Sequence, residues 1–331
     1  MKKLLTILIA ALMCASFVFA LGSKEQGSAT EKKQYGELDP VYVDKNGDMI
    51  ADVPEDASQL LDPDTLIFAY APVEDPAVYE EVFVNFQKYL EKKTGKKVKW
   101  FAVTNYATQI EAMRAGRLHV SGFAAGTVQD AVNTGGFVPF AVMGTEKGFV
   151  GYRMAIIANK SSGIKTIDDL KGKNVAFVSE SSNSGYSAPR AILYQKFNIL
   201  PNKDYKVSFS GKHDNSITGV YNNDYDAAAI ADTVMQRMIA GGRVPAAQEW
   251  CTFVFESDIF PPTAWGVNHR IKPELQAKIK DAFLTYDWSG SKLKDTWPEN
   301  DRFIPVDYAK DYALLREIRA GSKKVAELLG E

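Results

Sequence analysis

The feature that most constrains this chain is an abrupt change of character inside Val175–Ile192. Val175, Ala176, Phe177 and Val178 form a short β-prone apolar run, and Ser179–Ser187 is almost entirely Ser, Asn, Gly and Glu. A buried strand therefore ends in hydroxyls. Downstream, Ala188, Ala191, Ile192, Leu193 and Phe197 recur at helical spacing, with Pro189 in the first turn where its missing N–H costs little. The helix is expected to begin around Ser184–Ser187. Its first N–H groups lack intrahelical acceptors and carry the positive end of the dipole, so an anion can sit where a capping side chain normally does. Ser182, Asn183 and Ser184 add side-chain donors, and Gly185 allows close backbone approach. A single serine there would be an ordinary N-cap; three donors and a glycine make a cradle for an oxyanion.

The surroundings narrow the class. Residues 1–20 read as a secretory signal, with Lys2 and Lys3, an apolar stretch from Leu4 through Met13 and beyond, and Val18-Phe19-Ala20 as the cleavage site. The mature protein is expected to be exported, periplasmic or secreted. Leu21-Gly22-Ser23 stands where a lipoprotein would carry Cys-Gly-Ser, so no well-placed cysteine supports a lipid anchor. Beyond the signal the only cysteine is Cys251, which rules out an intramolecular disulfide and argues against a cysteine metal site. The formal net charge of −2 gives no nucleic-acid footprint. No second apolar run approaches the roughly 20 residues of a membrane helix.

Residues 21–62 are polar and turn-rich and read as a tether. Asp44, Asn46, Asp48, Asp52 and Glu55 fall at calcium-loop positions, but Met49 occupies the obligatory glycine position and Pro54 interrupts, so a solvated turn is expected. From Thr65 the pattern is βαβ: a strand at Leu66–Ala71, a helix at Val78–Lys93 burying Val82, Phe83, Phe86 and Leu90, and a strand at Val98–Val103. Gly122–Thr127 forms another glycine-rich turn opening a helix, which brings Thr127 to a second helix N-terminus. Strands at Tyr205–Ser210 and Tyr225–Ile230 end in polar residues, including His213 and Asp232, at the carboxyl ends where open α/β sheets bind ligands. A single helix is expected over Tyr308–Leu329. The fold expected is α/β with two lobes: lobe one over 63–152, lobe two over 153–257, and a return to lobe one with C-terminal helices over 258–331. The ligand cleft lies between lobes joined by a two-strand hinge.

Enzyme signatures are absent: no HExxH, GxSxG, Walker loop or GxGxxG occurs. Ser162-Gly163-Ile164-Lys165 matches SxxK without its companion motifs and reads as a turn. His119, His213 and His269 are scattered without metal-ligand spacing. Tyr70 and Tyr106 sit at strand-to-helix junctions, which gives them a cleft role as readily as a core one.

With those residues in view, the chain resembles the periplasmic phosphate, phosphite and phosphonate-binding proteins of ABC importers. The resemblance spans about Leu66–Ala282. It rests on Ala71-Pro72 with Glu74-Asp75-Pro76, on Ile110–Arg117, on Ser182–Tyr186 with Pro189, on Gly211–Ser216, and on Tyr225–Ala229 before Asp232. It implies the two-lobe periplasmic binding protein fold of type II, no catalysis, and no cofactor or metal. The implied partners are a small phosphorus oxyanion and an ABC permease in the inner membrane, with no nucleic acid and a monomeric state. The family's Ser-Thr-Ser-Gly grip lands on Ser182, Asn183, Ser184 and Gly185, with Asn183 departing from its threonine. Tyr106 resembles the lobe-one tyrosine, His213 the loop histidine and Asp232 the acidic cleft residue, whereas His119 stands where many members carry Asp. Competing readings are a receptor for another small anion or a heterocyclic vitamin precursor, and more remotely an enzyme of similar two-lobe shape.

Overall fold

The computed structural model describes residues 37–331; the signal and the start of the tether lie outside the described residues. In β1 (Thr65–Tyr70), alternation sends Leu66, Phe68 and Tyr70 into a cluster with Phe83, Phe86 and Trp265, while Ala69 joins the cluster on the opposite face. α1 (Ala77–Thr94) buries Tyr79, Val82, Phe83, Phe86 and Leu90, one face at three- and four-residue spacing. It stops at Gly95, whose φ of 72° suits a left-handed cap. β2 (Lys97–Trp100) then pairs parallel with β1. α2 (Tyr106–Arg114), capped by the Asn105 side chain on Thr108 N, leads to β3 (Val120–Phe123), parallel to β1 on its other side. α3 (Ala125–Gly135), β4 (Phe137–Thr145) and the short β5 (Gly148–Phe149) follow.

The chain then crosses into a second sheet built from β6 (Met154–Asn159), β7 (Asn174–Phe177), β8 (Lys206–Phe209), β9 (Ala227–Ala231) and β10 (Cys251–Glu256), in the order β10-β6-β9-β7-β8. Its helices are α4 (Ala188–Phe197), α5 (His213–Tyr221), α6 (Asp232–Ala240) and α7 (Ala247–Trp250). The return brings β11 (Ala264–Asn268), α8 (Pro273–Thr285), α9 (Lys292–Thr296) and β12 (Arg302–Pro305), completing the first sheet as β12-β4-β11-β3-β1-β2 with β5 beside β4. This is the two-lobe α/β architecture expected from the sequence.

The outgoing and returning segments pair with each other. Tyr152 N donates to Phe260 O at 3.1 Å and Phe260 N to Tyr152 O at 2.8 Å. Gly151 lies so close to this pairing that a Cβ there would be 2.3 Å from Phe260 O. The C-terminal segment departs from the single helix expected. It breaks at Tyr312 between α10 (Tyr308–Asp311) and α11 (Ala313–Leu329), because the buried Tyr312 turns inward and its hydroxyl donates to Pro262 O at 2.5 Å. α11 then lies against α4, where a Cβ at Gly321 would be 3.1 Å from Ala191 Cβ, and Arg319 reaches Asp130 of α3 at 2.7 Å.

Over residues 37–62, read from the sequence as part of a tether, the chain bonds to the folded body through Asp39 N to Asn133 O and Leu61 N to Arg270 O. Within this stretch the Asp44 carboxylate accepts Gly47 N and Met49 N, Asp52 accepts Lys45 N, and Lys45 pairs with Glu55. The Asp44 and Asp52 carboxylates thus close turns on their own backbone. Among the described residues no cluster of three or more His, Cys, Asp or Glu could hold a metal ion, and no helix is long and apolar enough to cross a membrane.

Candidate anion-binding cleft

The organising turn begins where β7 ends. Val178 N donates to Gly185 O at 2.8 Å, which folds the loop back on its strand, and the Ser182 Oγ accepts Gly185 N at 3.1 Å. That leaves the Ser182 hydroxyl proton free to donate. The turn over Asn183–Ser187 is wide, with Ser187 N bonded to Ser182 O and Ala188 N to Asn183 O, each five residues back. The amides of Asn183 and Ser184 occupy the first positions of this run, which have no acceptor further up the helix. Ser184 is 1% exposed, and its Oγ makes no well-formed hydrogen bond, only approaching the Tyr152 hydroxyl. A buried hydroxyl without a partner is rare, because its desolvation goes uncompensated. Asn183 is tied down differently: its Nδ2 donates to the Tyr152 hydroxyl at 2.9 Å.

His213 opens α5 beside this turn. Its Nδ1 accepts Ala231 N at 3.1 Å, so the lone pair is on Nδ1 and the proton on Nε2, which lies 3.4 Å from the Ser182 Oγ. Burial pulls its pKa down to about 3, so the ring is a neutral N–H donor at physiological pH. From the first lobe come Tyr106 and Tyr70, both buried, with their phenols pushed above the ordinary value by desolvation. The Tyr70 hydroxyl is 3.5 Å from the Thr263 Oγ1. The start of α3 abuts the turn, since a Cβ on Gly126 would stand 2.3 Å from Asn183 N and 2.8 Å from Ser181 O. Between these elements lies a cavity of about 400 Å³ whose walls include Tyr70, Tyr106, Gly126, Ser182, Asn183, Ser184 and His213. It offers neutral donors from both lobes, an arrangement that suits an oxyanion without a bare cation.

Three expected site residues do not line this cavity. Asp232 is outside the cavity wall: its Oδ1 accepts Arg153 N at 3.0 Å and Thr233 N at 2.7 Å, so the carboxylate joins α6 to the hinge. Desolvation raises its pKa. The Thr127 hydroxyl donates to Ala124 O at 2.8 Å, a bond inside its own turn, and Thr127 does not line the cavity. Gly185 packs on Val178, where a Cβ would be 2.4 Å from Val178 Cγ2, so its small size serves the strand rather than a ligand. His119, left open by the sequence, accepts Ile67 N through Nδ1 at 2.9 Å and braces β1.

Other residues enter the site without a sequence signal. Tyr152 comes from the hinge and Gly126 from α3. Arg237 of α6 lines the cavity, and its Nε donates to Glu74 at 2.7 Å; Tyr79 donates to the same carboxylate at 2.8 Å, and Arg243 bridges Glu74 and Asp214. Trp297 and Asn300, from the segment after α9, form a far wall.

The sequence pattern of one protein family, described as "ABC transporter, phosphonate, periplasmic substrate-binding protein", matches residues 68–312. The chain belongs to that family. Family members with curated names include a "Phosphate-import protein PhnD" of Mycolicibacterium smegmatis, 29% identical over 70% of this chain and 75% of the relative. A "Phosphonates-binding periplasmic protein" of Escherichia coli is 27% identical over 61% of this chain, and the match spans only 60% of that relative's length. Among solved structures, PhnD1 of Prochlorococcus marinus in complex with methylphosphonate superposes with a TM-score of 0.68 at 21% identity, over 81% of this chain and 99% of that one. The fold is accordingly the type II periplasmic binding protein fold of this phosphonate-binding family, two α/β lobes around a ligand cleft.

Proposed function

We propose that this chain is the exported binding subunit of an ABC importer, that it captures a phosphorus oxyanion (phosphonate, phosphite or phosphate) in the cleft between its lobes, and that it delivers the ligand to a membrane permease without chemical change. The observation that carries this reading is the buried Ser184 Oγ, without a well-formed hydrogen bond to protein, at the mouth of an unsatisfied helix start, flanked by the Ser182 hydroxyl and the neutral His213 Nε2–H. A tetrahedral oxyanion supplies the acceptors that this set lacks. Tyr106 and the start of α3 would contact the ligand from the first lobe, so that binding holds the lobes together about the Tyr152–Phe260 pairing. Membership of the phosphonate family and the names of its relatives support the ligand class. In this reading residues 63–152 with 258–331, and residues 153–257, move as the two lobes.

Isothermal titration with phosphite, methylphosphonate, phosphate and sulfate tests the reading. Binding of a phosphorus oxyanion, with the compound recovered unaltered, is expected. Binding of none of the phosphorus compounds, or their turnover, would overturn it.

A further inference from the structure

We infer that the ligand of this cleft is a phosphonate or phosphate monoester carrying a bulky, largely apolar organic arm, seated against Trp297 with its polar end at Asn300. The inference rests on the oxyanion reading above and concerns the part of the cavity that an oxyanion leaves unfilled. A five-atom oxyanion at Ser184 takes up the space of only a few waters, each about 30 Å³, within a cavity of about 400 Å³. The lining also includes Met143, Pro262 and Trp297, whose side chains offer an apolar surface. Trp297 is held in place as part of that surface. Its ring is stacked on Tyr79 at 6.0 Å and 3°, Tyr70 meets it edge-on at 5.7 Å, and the Arg237 guanidinium stands 6.0 Å from its centre. A preset aromatic face favours an arm with a flat, apolar surface.

Asn300 is a second, independent observation. It lines the cavity, is 6% exposed, and its Oδ1 is buried without a hydrogen-bond partner. A donor at the end of the arm would satisfy it. Asp295 and Glu299 also line this end and are exposed, so an acidic group on the arm would face like charge. The arm is therefore neutral or cationic, and the anionic charge of the ligand is confined to the phosphorus end.

Calorimetric titration of the full chain with methylphosphonate, benzylphosphonate, 4-aminobenzylphosphonate and phosphonoacetate tests the inference. Benzylphosphonate is expected to bind at least about tenfold tighter than methylphosphonate, a difference of about 1.4 kcal/mol, and phosphonoacetate more weakly than either. That advantage should shrink in Trp297→Ala and return in Trp297→Phe. 4-Aminobenzylphosphonate should exceed benzylphosphonate in the wild type but not in Asn300→Ala. Methylphosphonate binding as tightly as benzylphosphonate would overturn the inference and leave the oxyanion reading standing. Equal affinity of the wild type for the two benzyl compounds would remove Asn300 from it. Failure of every phosphonate to bind would overturn the inference, and the oxyanion reading would fall with it only if phosphite and phosphate also failed to bind.

Discussion

Glu74 and Arg237 meet across the cleft, the Arg237 Nε donating to the Glu74 carboxylate at 2.7 Å, although one follows β1 and the other belongs to α6 of the opposite lobe. Glu74 is 1% exposed and also accepts from the Tyr79 hydroxyl. With the lobes together both charges are desolvated, and the pair is matched only while both partners are present.

Glu74→Gln is therefore expected to weaken ligand binding by about ten- to a hundredfold, because it leaves Arg237 buried without its counter-charge, a loss in the range of about 1.5–3 kcal/mol for a charge-assisted bond. Thermal stability of the ligand-free protein should fall less, since separated lobes return Arg237 to water. Calorimetric titration and a melting curve on the same variant separate the two effects.

Gly126 tests closure by sterics. A Cβ there meets backbone, Asn183 N at 2.3 Å and Ser181 O at 2.8 Å, and backbone cannot swing aside as a side chain can. Gly126→Ala is expected to fold but to hold the lobes apart, so small-angle scattering should give a larger radius of gyration at saturating ligand than the wild type. Affinity should drop more than tenfold.

The histidines make a prediction about acid. Burial lowers all three pKa values, His213 to about 3, His269 to about 4, and His119 in the same direction. A histidine with a depressed folded pKa leaves its proton to the unfolded chain, so its stabilising effect is full above about 6.5 and is lost as pH falls toward the folded value. For His213 the window is about 6.5 down to about 3, with a slope of up to about 1.4 kcal/mol per pH unit. Denaturant unfolding between pH 7 and pH 4 should show stability falling with pH, and His213→Asn should flatten the slope by up to one proton. Ligand affinity between pH 5 and 8 should carry no contribution from His213 titration, because the folded ring stays neutral throughout.

The donors that line the cavity are legible in the sequence because their signal is local. A β-prone run broken by hydroxyls before a helical spacing gives a donor-rich helix start, and Ser182, Asn183, Ser184 and His213 all line the cavity. Asp232 and Thr127 do not line it, for a related reason. Both stand at helix starts on the carboxyl side of strands, but short polar side chains there also bond to nearby backbone, Asp232 to Thr233 N and Thr127 to Ala124 O. The cross-lobe pair Glu74–Arg237 joins residues 163 positions apart, and no periodicity reports such a partnership. Trp297 and Asn300 follow α9, in a polar, lysine-interrupted stretch where the hydrophobic pattern gave no element. Tyr152 carries no sequence signal of its own, because only the pairing with Phe260 places it in the hinge.

The most direct test of the central claim is calorimetric titration of wild-type protein and Ser184→Ala with methylphosphonate, alongside a melting curve of each. Because the Ser184 Oγ makes no well-formed hydrogen bond to protein beyond its approach to the Tyr152 hydroxyl, its removal should change the melting temperature little. Because it is assigned to the oxyanion, affinity should fall about ten- to a hundredfold, the loss of one charge-assisted hydrogen bond of roughly 1.5–3 kcal/mol. An unchanged dissociation constant in a variant that melts like the wild type would contradict the account.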